Sequence, residues 1–305
     1  MILCVGEILV DMIGGEKDGS FCYERKAGGA PFNVACAVKK FGADSGFVGC
    51  VGEDTVGSFL EKFVEKQSLT CAYIKKDARV NTTLAFVDLD ENGERSFCFY
   101  RKNTADYQLP PVPVDIFNKA KIVHIGSLML SEPIGKKYAV ALAKKAKKAG
   151  KLVSFDVNFR DDIFRDRQAA VKVYSKMIQL ADIVKFSEDE VEIFGQDYVK
   201  NALYYKLVCL SLGGAGSRWQ YRGQSNQVPT VPVKPIDTTG AGDAFYAGVL
   251  SRLVGVDRAD WTAETLDSAF RFGNVCGALN TLGKGAIDHL PTIEEIEKKL
   301  TEEGR

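Results

Sequence analysis

The sequence is poor in the features that mark histidine metal sites, membrane spans and strongly charged surfaces. Its 305 residues include two histidines, His124 and His289, which stand far apart and argue against a histidine-based metal site. No segment approaches the ~20 consecutive apolar residues that a membrane-spanning helix needs. Lysine plus arginine (40) equal aspartate plus glutamate (40), so no overall field attracts nucleic acid or a lipid surface. We therefore expect neither a nucleic-acid nor a membrane partner.

Signals for secretion and for disulfide bonding are also missing. The eight cysteines include no C-x-x-C pair and lie mostly in apolar runs, which is typical of small buried side chains in a reducing compartment. The first residues enter an apolar segment directly, without the basic region and long apolar core of a secretory signal. These observations predict a soluble cytoplasmic protein.

The most familiar nucleotide-binding motifs are absent. The sequence contains no G-x-x-x-x-G-K-[ST], no G-x-G-x-x-G after a strand and no set of protein-kinase motifs. Their absence argues against a P-loop protein and against a dinucleotide-binding oxidoreductase. A balanced net charge nevertheless permits a small anionic ligand that is held locally.

The pattern of the remaining sequence is that of an α/β protein. From residue 121 onward, short apolar runs alternate with amphipathic runs, which predicts βαβ units and a mostly parallel sheet covered on both faces. The predicted strands are residues 121–125, 152–157, 183–186 and 207–212, and the predicted helices are 135–149, 167–180 and 188–194. A chain of this length without a linker predicts one large domain, residues 1–305.

The first hundred residues are less regular. Residues 1–10 are mainly apolar and predict one short buried strand. Residues 83–88 and 95–100 are β-prone and are joined through Asn92-Gly93, a strong hairpin signal. Together with residues 12–26, they predict a small sheet apart from the main one.

Residues 237–245, with the sequence DTTGAGDAF, stand directly before an apolar run and carry the densest chemistry of the chain. Gly240 and Gly242 let the backbone turn tightly and aim successive N–H groups at one point. If the apolar run is a helix, those groups lie at its N-terminus, where the helix dipole also favours an anion. Asp243 would stand beside that anion, which suits a general base. A plain helix cap explains the same residue types, and both interpretations remain open.

A second cluster combines Asp11, the pair Gly28-Gly29 and Asn33. A carboxylate, an amide and a backbone without side chains can hydrogen-bond several hydroxyl groups, which suits a polyol. Turn glycines followed by a helix cap explain the same pattern.

Charged residues also follow predicted strands. Arg101 with Asp106 can clamp an oxygen-rich ligand, although an exposed ion pair would contribute little. Residues 188–190 place three carboxylates at a helix start, where capping alone would account for them. Alternatively, Glu190 holds a hydrated Mg²⁺ through water, and residues 156–160 line the same crevice.

Residues 211–216, SLGGAG, form a glycine-rich turn after a strand and can pass under a nucleotide, although such a turn is a weak signal by itself. In an open parallel sheet, ligands bind where the strands end. We therefore expect all four clusters at one crevice.

The combination of motifs resembles a known family. Residues 237–245 resemble the C-terminal signature of the ribokinase-like, or PfkB, carbohydrate kinases. Residues 27–33 and the G-x-x-G-x-D-x-x-G pattern at 49–57 resemble its N-terminal signature, and the resemblance covers essentially the whole chain. The segments most similar to fructokinases are residues 29–33, 99–106 and 156–160.

The resemblance implies a ribokinase-like three-layer α/β/α sandwich with a mostly parallel central sheet. It also implies that residues 12–26 and 79–101 form a β lid that closes over the sugar. The implied activity is transfer of the γ-phosphoryl group of ATP to a sugar hydroxyl, with fructose to fructose 6-phosphate as the expected reaction. The implied cofactors are ATP, Mg²⁺ and K⁺.

The resemblance also assigns site residues. Asp243 matches the catalytic base, and the backbone of Gly240, Ala241 and Gly242 matches the anion hole. The implied sugar-binding residues are Asp11, Gly29, Asn33, Arg101 and Asp243. The implied nucleotide-binding residues are Ser211, Gly213, Gly216, Asn274 and Gly277. Glu190 matches the Mg²⁺-linked acid, and the implied monovalent-cation positions are Asp237, Thr239, Asn280, Gly283 and Gly285.

Three residues depart from the family pattern. Ser187 stands where many relatives have asparagine, Val157 replaces a proline common in fructokinases, and Phe164 stands near a usual tryptophan. Alternative activities are those of a 2-keto-3-deoxygluconate kinase, a ribokinase, a nucleoside kinase or a non-catalytic sugar sensor. The apolar runs at 83–88 and 95–100 also raise the hypothesis of a homodimer formed through the lid.

Overall fold

The computed structural model describes residues 1–89, 95–164 and 166–303. Its strands in chain order are β1 (Ile2–Val5), β2 (Leu9–Lys17), β3 (Ser20–Gly28), β4 (Ser45–Gly52), β5 (Cys71–Asp77), β6 (Leu84–Leu89), β7 (Arg95–Tyr100), β8 (Ile122–Ile125), β9 (Leu152–Asp156), β10 (Ile183–Ser187), β11 (Leu207–Ser211), β12 (Ser217–Tyr221) and β13 (Gln224–Val228). Its helices are α1 (Ala30–Lys40), α2 (Thr55–Lys66), α3 (Val114–Lys119), α4 (Pro133–Lys148), α5 (Arg167–Leu180), α6 (Glu188–Phe194), α7 (Ala241–Leu253), α8 (Ala263–Asn280) and α9 (Ile293–Glu303).

Nine strands form the main sheet, in the order β13-β12-β11-β10-β9-β8-β1-β4-β5. The pairs from β5 through β11 are parallel, and β12 and β13 add an antiparallel edge. In β1, Ile2 and Cys4 face one apolar core while Leu3 and Val5 face the other. Helices α1, α2, α7, α8 and α9 cover the first face, and α3, α4 and α5 cover the second. This arrangement confirms the predicted α/β fold with a mostly parallel sheet.

A second sheet of four strands has the order β3-β2-β6-β7. β2 pairs antiparallel with β3 and parallel with β6, and β6 pairs antiparallel with β7. The Arg25 guanidinium lies 4.4 Å from the centre of the Phe59 ring and so connects this sheet to α2. The small separate sheet is therefore confirmed, whereas the predicted Asn92-Gly93 turn lies outside the described residues.

The prediction of one strand over residues 1–10 is wrong. β1 ends at Val5 in the main sheet, and β2 begins at Leu9 in the small sheet. The chain changes sheets at Gly6, where a Cβ atom would lie 2.7 Å from Pro31 Cγ. A continuous apolar run does not reveal this change, because residues 2–10 are all buried.

Two other parts of the main sheet were not predicted. β5 and the β12–β13 hairpin lie at its two edges, and β13 is mostly exposed. Edge strands such as β5 and β13 need few apolar side chains, so their sequence carries a weak period-two signal. No helix of the described chain is long and apolar enough to cross a membrane.

The carboxyl ends of the parallel strands lie together along one side of the main sheet. β9 ends at Asp156, β10 at Ser187 and β11 at Ser211. Because parallel strands point the same way, these residues lie next to the loops that precede α1, α6 and α7. An open α/β sheet binds its ligands at these carboxyl ends of the strands.

Candidate active site

The N-terminus of α7 is built by a left-handed turn at Gly240, where φ is 74°. A Cβ atom there would lie 2.6 Å from Ala286 Cα, so only glycine fits. The N–H groups of a first helical turn have no acceptor within the helix. Of the predicted anion hole, the Ala241 N–H already donates to Thr238 O at 3.2 Å. An anion at this turn would therefore bind through the N–H groups of Gly240 and Gly242, because that of Ala241 is already engaged.

Asp243 follows in the first turn of α7 and is half-buried. Asn33 Nδ2 donates a hydrogen bond of 2.8 Å to its Oδ2 atom. Burial and the charge of Asp156 raise the pKa of Asp243 to about 6, against the opposing effects of Asn33, Lys185 and Arg160. An acid with this pKa is largely ionised at neutral pH and still close enough to pH 7 to act as a base.

A cavity of about 220 Å³ opens between the two sheets and the start of α7. Of the five predicted sugar-binding residues, four line it: Asp11, Gly29, Asn33 and Asp243. Asp11 comes from β2, Gly29 precedes α1 and Asn33 lies in its first turn. This sugar-side cavity thus gathers a carboxylate, an amide and exposed backbone, as the sequence predicted for a polyol.

A second cavity of about 370 Å³ lies on the other side of the α7 N-terminus. All five predicted nucleotide-binding residues line it: Ser211, Gly213, Gly216, Asn274 and Gly277. Asn274 Nδ2 donates to Val228 O at 2.9 Å and to Pro229 O at 3.1 Å, so this side chain holds the loop that forms the opposite wall. The lining is otherwise mostly apolar, which suits a flat aromatic base.

The two cavities meet at Gly242, which lines both of them. Ala241 faces the nucleotide-side cavity, and Asp243 faces the sugar-side cavity. A group bound in one cavity can therefore reach the other across the N-terminus of α7. This geometry suits transfer of an anionic group between two ligands.

Glu190 lies in the first turn of α6 and is buried. Its Oε1 accepts from the Phe159 N–H at 2.6 Å, and its Oε2 accepts from the Ser187 N–H at 2.8 Å. Burial raises the pKa of Glu190, although the Lys185 ammonium opposes that effect. Among the described residues, no group of three His, Cys, Asp or Glu could hold a metal ion directly. A Mg²⁺ at this place would therefore be held through water and by a ligand's own oxygens.

The predicted monovalent-cation residues gather beside the start of α7. Asp237 Oδ1 accepts from Thr239 N and Oγ1 at 2.8 and 2.6 Å, and its Oδ2 accepts from the Gly285 N–H at 2.9 Å. Asn280 Nδ2 donates to Thr239 O at 3.1 Å, while its amide oxygen has no hydrogen-bond partner within the described chain. Gly283 packs against the ring of His289 in the same turn. The oxygens gathered here, from the Asp237 carboxylate, the Asn280 amide and the Thr239 carbonyl, are of the kind that would hold a monovalent cation.

Comparison with known proteins identifies the family. The sequence profile described as "pfkB family carbohydrate kinase" matches residues 1–293. The chain belongs to this family. It is 36% identical to a fructokinase of Klebsiella pneumoniae over 307 residues, which cover 98% of this chain and 99% of that relative.

Solved pfkB-type structures are similar along the whole chain. Fructokinase from Xylella fastidiosa with bound ATP matches with a TM-score of 0.91 and 29% identity, covering 100% of this chain and 99% of that one. Fructokinase from Vibrio cholerae O395, with fructose, ADP and calcium bound, matches with a TM-score of 0.86 and 32% identity, covering 97% of each chain. A double mutant of the same enzyme contains potassium with fructose and ADP and matches equally well. These comparisons confirm the predicted ribokinase-like fold and the predicted class of carbohydrate kinase.

Within this pfkB kinase, Arg101 is the predicted sugar-binding residue that does not line the sugar-side cavity. Its Nε donates to Asp106 Oδ2 at 2.8 Å and its Nη1 to Ser131 Oγ at 2.8 Å, while Nη2 reaches Asp106 and the carbonyl oxygen of Leu128. Leu128 does line the cavity. Four hydrogen bonds thus direct the guanidinium of Arg101 into the wall that carries Leu128.

A buried ion pair in the sugar-side cavity was not predicted from the sequence. Lys185 Nζ lies 2.9 Å from both carboxyl oxygens of Asp156, and both residues line the cavity. Although burial lowers the pKa of Lys185, the neighbouring carboxylates raise it by more, so the ammonium stays charged. Residues 156–160 were expected in this crevice, but the pairing itself had no signal, because the partners lie 29 residues apart on neighbouring strands.

Proposed function

We propose that this pfkB kinase transfers the γ-phosphoryl group of ATP to a hydroxyl of fructose and so forms fructose 6-phosphate. The observation that carries the proposal is that Gly242 lines both cavities and Asp243 follows it on the sugar side. The fructokinases named above support fructose as the acceptor and ATP as the donor.

In the proposed reaction, a sugar hydroxyl oxygen bonds to the γ-phosphorus as the bond from that phosphorus to the β–γ bridging oxygen breaks. ADP leaves with the bond electrons, and Asp243 accepts the hydroxyl proton. The N–H end of α7 at Gly240 and Gly242 stabilises the charge of the phosphoryl group in transit. The Lys185 ammonium adds positive charge nearby, since a Cβ on Gly242 would lie 3.6 Å from its Nζ.

On the sugar side, Asp11, Gly29 and Asn33 orient the acceptor, and Arg101 supports the wall behind it. On the nucleotide side, Ser211, Gly213, Gly216 and Gly277 form the surface for ATP, and Asn274 holds the facing loop. Glu190 would hold Mg²⁺ through water, and Asp237 with the carbonyls near Asn280 and Gly285 would hold K⁺. When bound, these cations neutralise phosphate charge.

We also propose that the whole chain, residues 1–305, acts as one kinase domain whose small sheet is the lid. The proposed lid segments are residues 12–26 and 79–101. In the structure, the first overlaps β2 and β3, and the second contains β6 and β7. Their closure would exclude water, which competes with the sugar as the phosphoryl acceptor. Phe99, from β7, already lines the sugar-side cavity.

A homodimer through the lid and a cytoplasmic location complete the proposal. The aromatic side chains of Phe21, Tyr23 and Tyr100 are exposed on the small sheet, which supports pairing of two lids. A monomeric mass in solution at micromolar protein concentration would count against the dimer.

All eight cysteines are free, which supports a reducing compartment.

A screen of ATP consumption tests the activity. Purified protein is assayed with Mg²⁺ and K⁺ against fructose, ribose, 2-keto-3-deoxygluconate, tagatose and adenosine. We expect the highest kcat/KM with fructose. A higher kcat/KM with another acceptor would replace fructose by that substrate, and no acceptor-dependent ATP consumption would leave the sugar-sensor alternative.

A further inference from the structure

One buried carboxyl group of the sugar-side cavity has no part in the mechanism above. Glu7 lies between β1 and β2, where the chain passes from the main sheet to the small one, and it is 1% exposed. Neither carboxyl oxygen makes a hydrogen bond to another residue in the described parts of the chain. Burying a polar group without a partner destabilises a protein. Its presence here therefore calls for a hydrogen-bond partner that no other residue of the described chain supplies.

The surrounding chain is shaped around this carboxyl group. A Cβ atom on Gly126, just beyond β8, would overlap Glu7 Oε2 and would lie 2.8 Å from Pro31 Cγ. Glu7 is also among the residues that line the cavity with Asp11, Asn33 and Asp243. Glu7 is thus a residue of the cavity wall, and the close packing around Gly126 fixes its carboxyl group.

The charges around Glu7 favour its uncharged form. Burial raises its pKa to about 8, and the carboxylates of Asp106 and Asp243 add to this effect. Its own backbone amide and Arg101 act in the opposite direction. The other charged residues that line the cavity are Asp11 from β2, Asp156 and Arg160 at the end of β9, and Lys185 from β10.

We propose that Glu7 is a sugar-binding residue that helps to determine which sugar is accepted, with one hydroxyl of the bound sugar as its hydrogen-bond partner. The inference rests on the proposed function, because it requires a sugar in this cavity. An uncharged carboxyl group both donates and accepts a hydrogen bond, as a hydroxyl does, whereas an ionised carboxylate such as that of Asp243 at neutral pH only accepts. A site built to bond a particular hydroxyl strongly rejects an analogue that lacks it.

Two variants of similar size separate this role from a structural one. Glu7→Gln keeps one donor and one acceptor, so we expect the sugar KM at pH 7 to stay within about threefold of wild type. Glu7→Leu removes both, and we expect the sugar KM to rise roughly 5- to 150-fold, with the ATP KM unchanged. An unchanged sugar KM in Glu7→Leu would overturn the proposal, even if the protein is confirmed to be an active kinase.

The melting temperature gives an independent readout. Because Glu7→Leu removes a buried polar group that makes no hydrogen bond to another described residue, we expect the variant to melt at or above the wild-type temperature. If Glu7 instead stabilised the fold, Glu7→Leu would melt at a lower temperature while the sugar KM stayed constant. That pair of results would overturn the proposal. If Glu7→Leu does not fold, Glu7→Gln carries the test through its pH dependence.

Sugar binding should depend on the proton of Glu7. Calorimetric titration without ATP is expected to show the wild-type Kd for the sugar rising about tenfold per pH unit above pH 8. Glu7→Gln should lack this rise, and an identical rise in both proteins would overturn the proposal.

A measurement without sugar separates failure of this inference from failure of the proposed function. Folding raises the pKa of Glu7 from near 4.5 to about 8. The contribution of Glu7 to folding stability is therefore fully present below pH 4.5 and is lost as the pH rises towards 8. The melting temperature of wild type should therefore fall relative to that of Glu7→Gln across this range. If wild type phosphorylates no acceptor, the proposed function fails while this comparison still reports on Glu7. If the difference in melting temperature between wild type and Glu7→Gln stayed constant across this pH range, Glu7 would not be uncharged in the folded protein.

Discussion

Asn33 and Asp243 stand 210 positions apart in the chain, and Asn33 Nδ2 donates a 2.8 Å hydrogen bond to Asp243 Oδ2. The two residues lie in the first turns of α1 and α7, which begin at the same edge of the main sheet. The amide stabilises the ionised form of a carboxyl group whose pKa is raised by burial. This contact therefore links the proposed sugar site to the protonation state of the proposed base.

Replacing Asp243 tests its role as the base. We expect Asp243→Asn to lower kcat by roughly 10²–10⁴, the usual contribution of a positioned base. The sugar Kd should change only a few-fold, since the amide keeps the shape and most hydrogen-bonding capacity of the carboxylate. Steady-state kinetics and sugar titration measure the two effects, with Asp115→Asn in an exposed position of α3 as the control. Near-normal turnover in Asp243→Asn would contradict the assignment.

The pH dependence of kcat/KM should report the ionisation of Asp243. Its pKa is raised to about 6, so the base is protonated and inactive below that pH and ionised above it. We expect kcat/KM to fall about tenfold per pH unit below pH 6. Asn33→Ala removes the hydrogen bond that lowers this pKa and should move the midpoint to higher pH. A midpoint that moves to lower pH would show that Asn33 does not stabilise the carboxylate.

The Lys185–Asp156 pair should contribute to stability as a unit. Both side chains are buried, so Lys185→Met leaves the Asp156 carboxylate without its ammonium partner. We expect the free energy of unfolding to fall by roughly 3–5 kcal/mol in urea titrations. The double variant Lys185→Met, Asp156→Leu should regain most of this loss, because no unpaired charge remains. A double variant that is less stable than the single one would argue against a paired role.

Gly216, in the turn after β11, provides a test of the nucleotide site. It has a φ of 94°, and a Cβ atom there would overlap Val228 O. The control is Gly255, an exposed residue after α7 that lines neither cavity and has no atom within 4 Å of the corresponding position. We expect Gly216→Ala to raise the ATP KM roughly tenfold through backbone strain, with the sugar KM unchanged, and Gly255→Ala to resemble wild type. Equal ATP KM values for the two variants would argue against a role of this turn in ATP binding.

Much of the architecture could be predicted because its signals are local. Alternation of apolar strands and amphipathic helices after residue 121 indicated the parallel sheet, and the β-prone runs near residues 84 and 97 indicated the small one. The DTTGAGDAF stretch indicated a turn at a helix start, since glycine conformations and helix ends depend on neighbouring residues. The switch between sheets at Gly6 was missed, because the residues on both sides of it, 2–10, are all buried.

The sequence by itself determined the α/β class, the family and the residue types that a sugar–ATP site requires. Tertiary structure decided which of those residues meet: Asn33 with Asp243, Lys185 with Asp156, and Arg101 with Asp106 rather than in the sugar-side cavity. It also decided that Glu7, part of an ordinary apolar run, is a buried carboxyl group at the sugar-side cavity. The reason is physical. Motifs report backbone conformation over a few residues, whereas burial and pairing depend on packing between segments far apart in the chain.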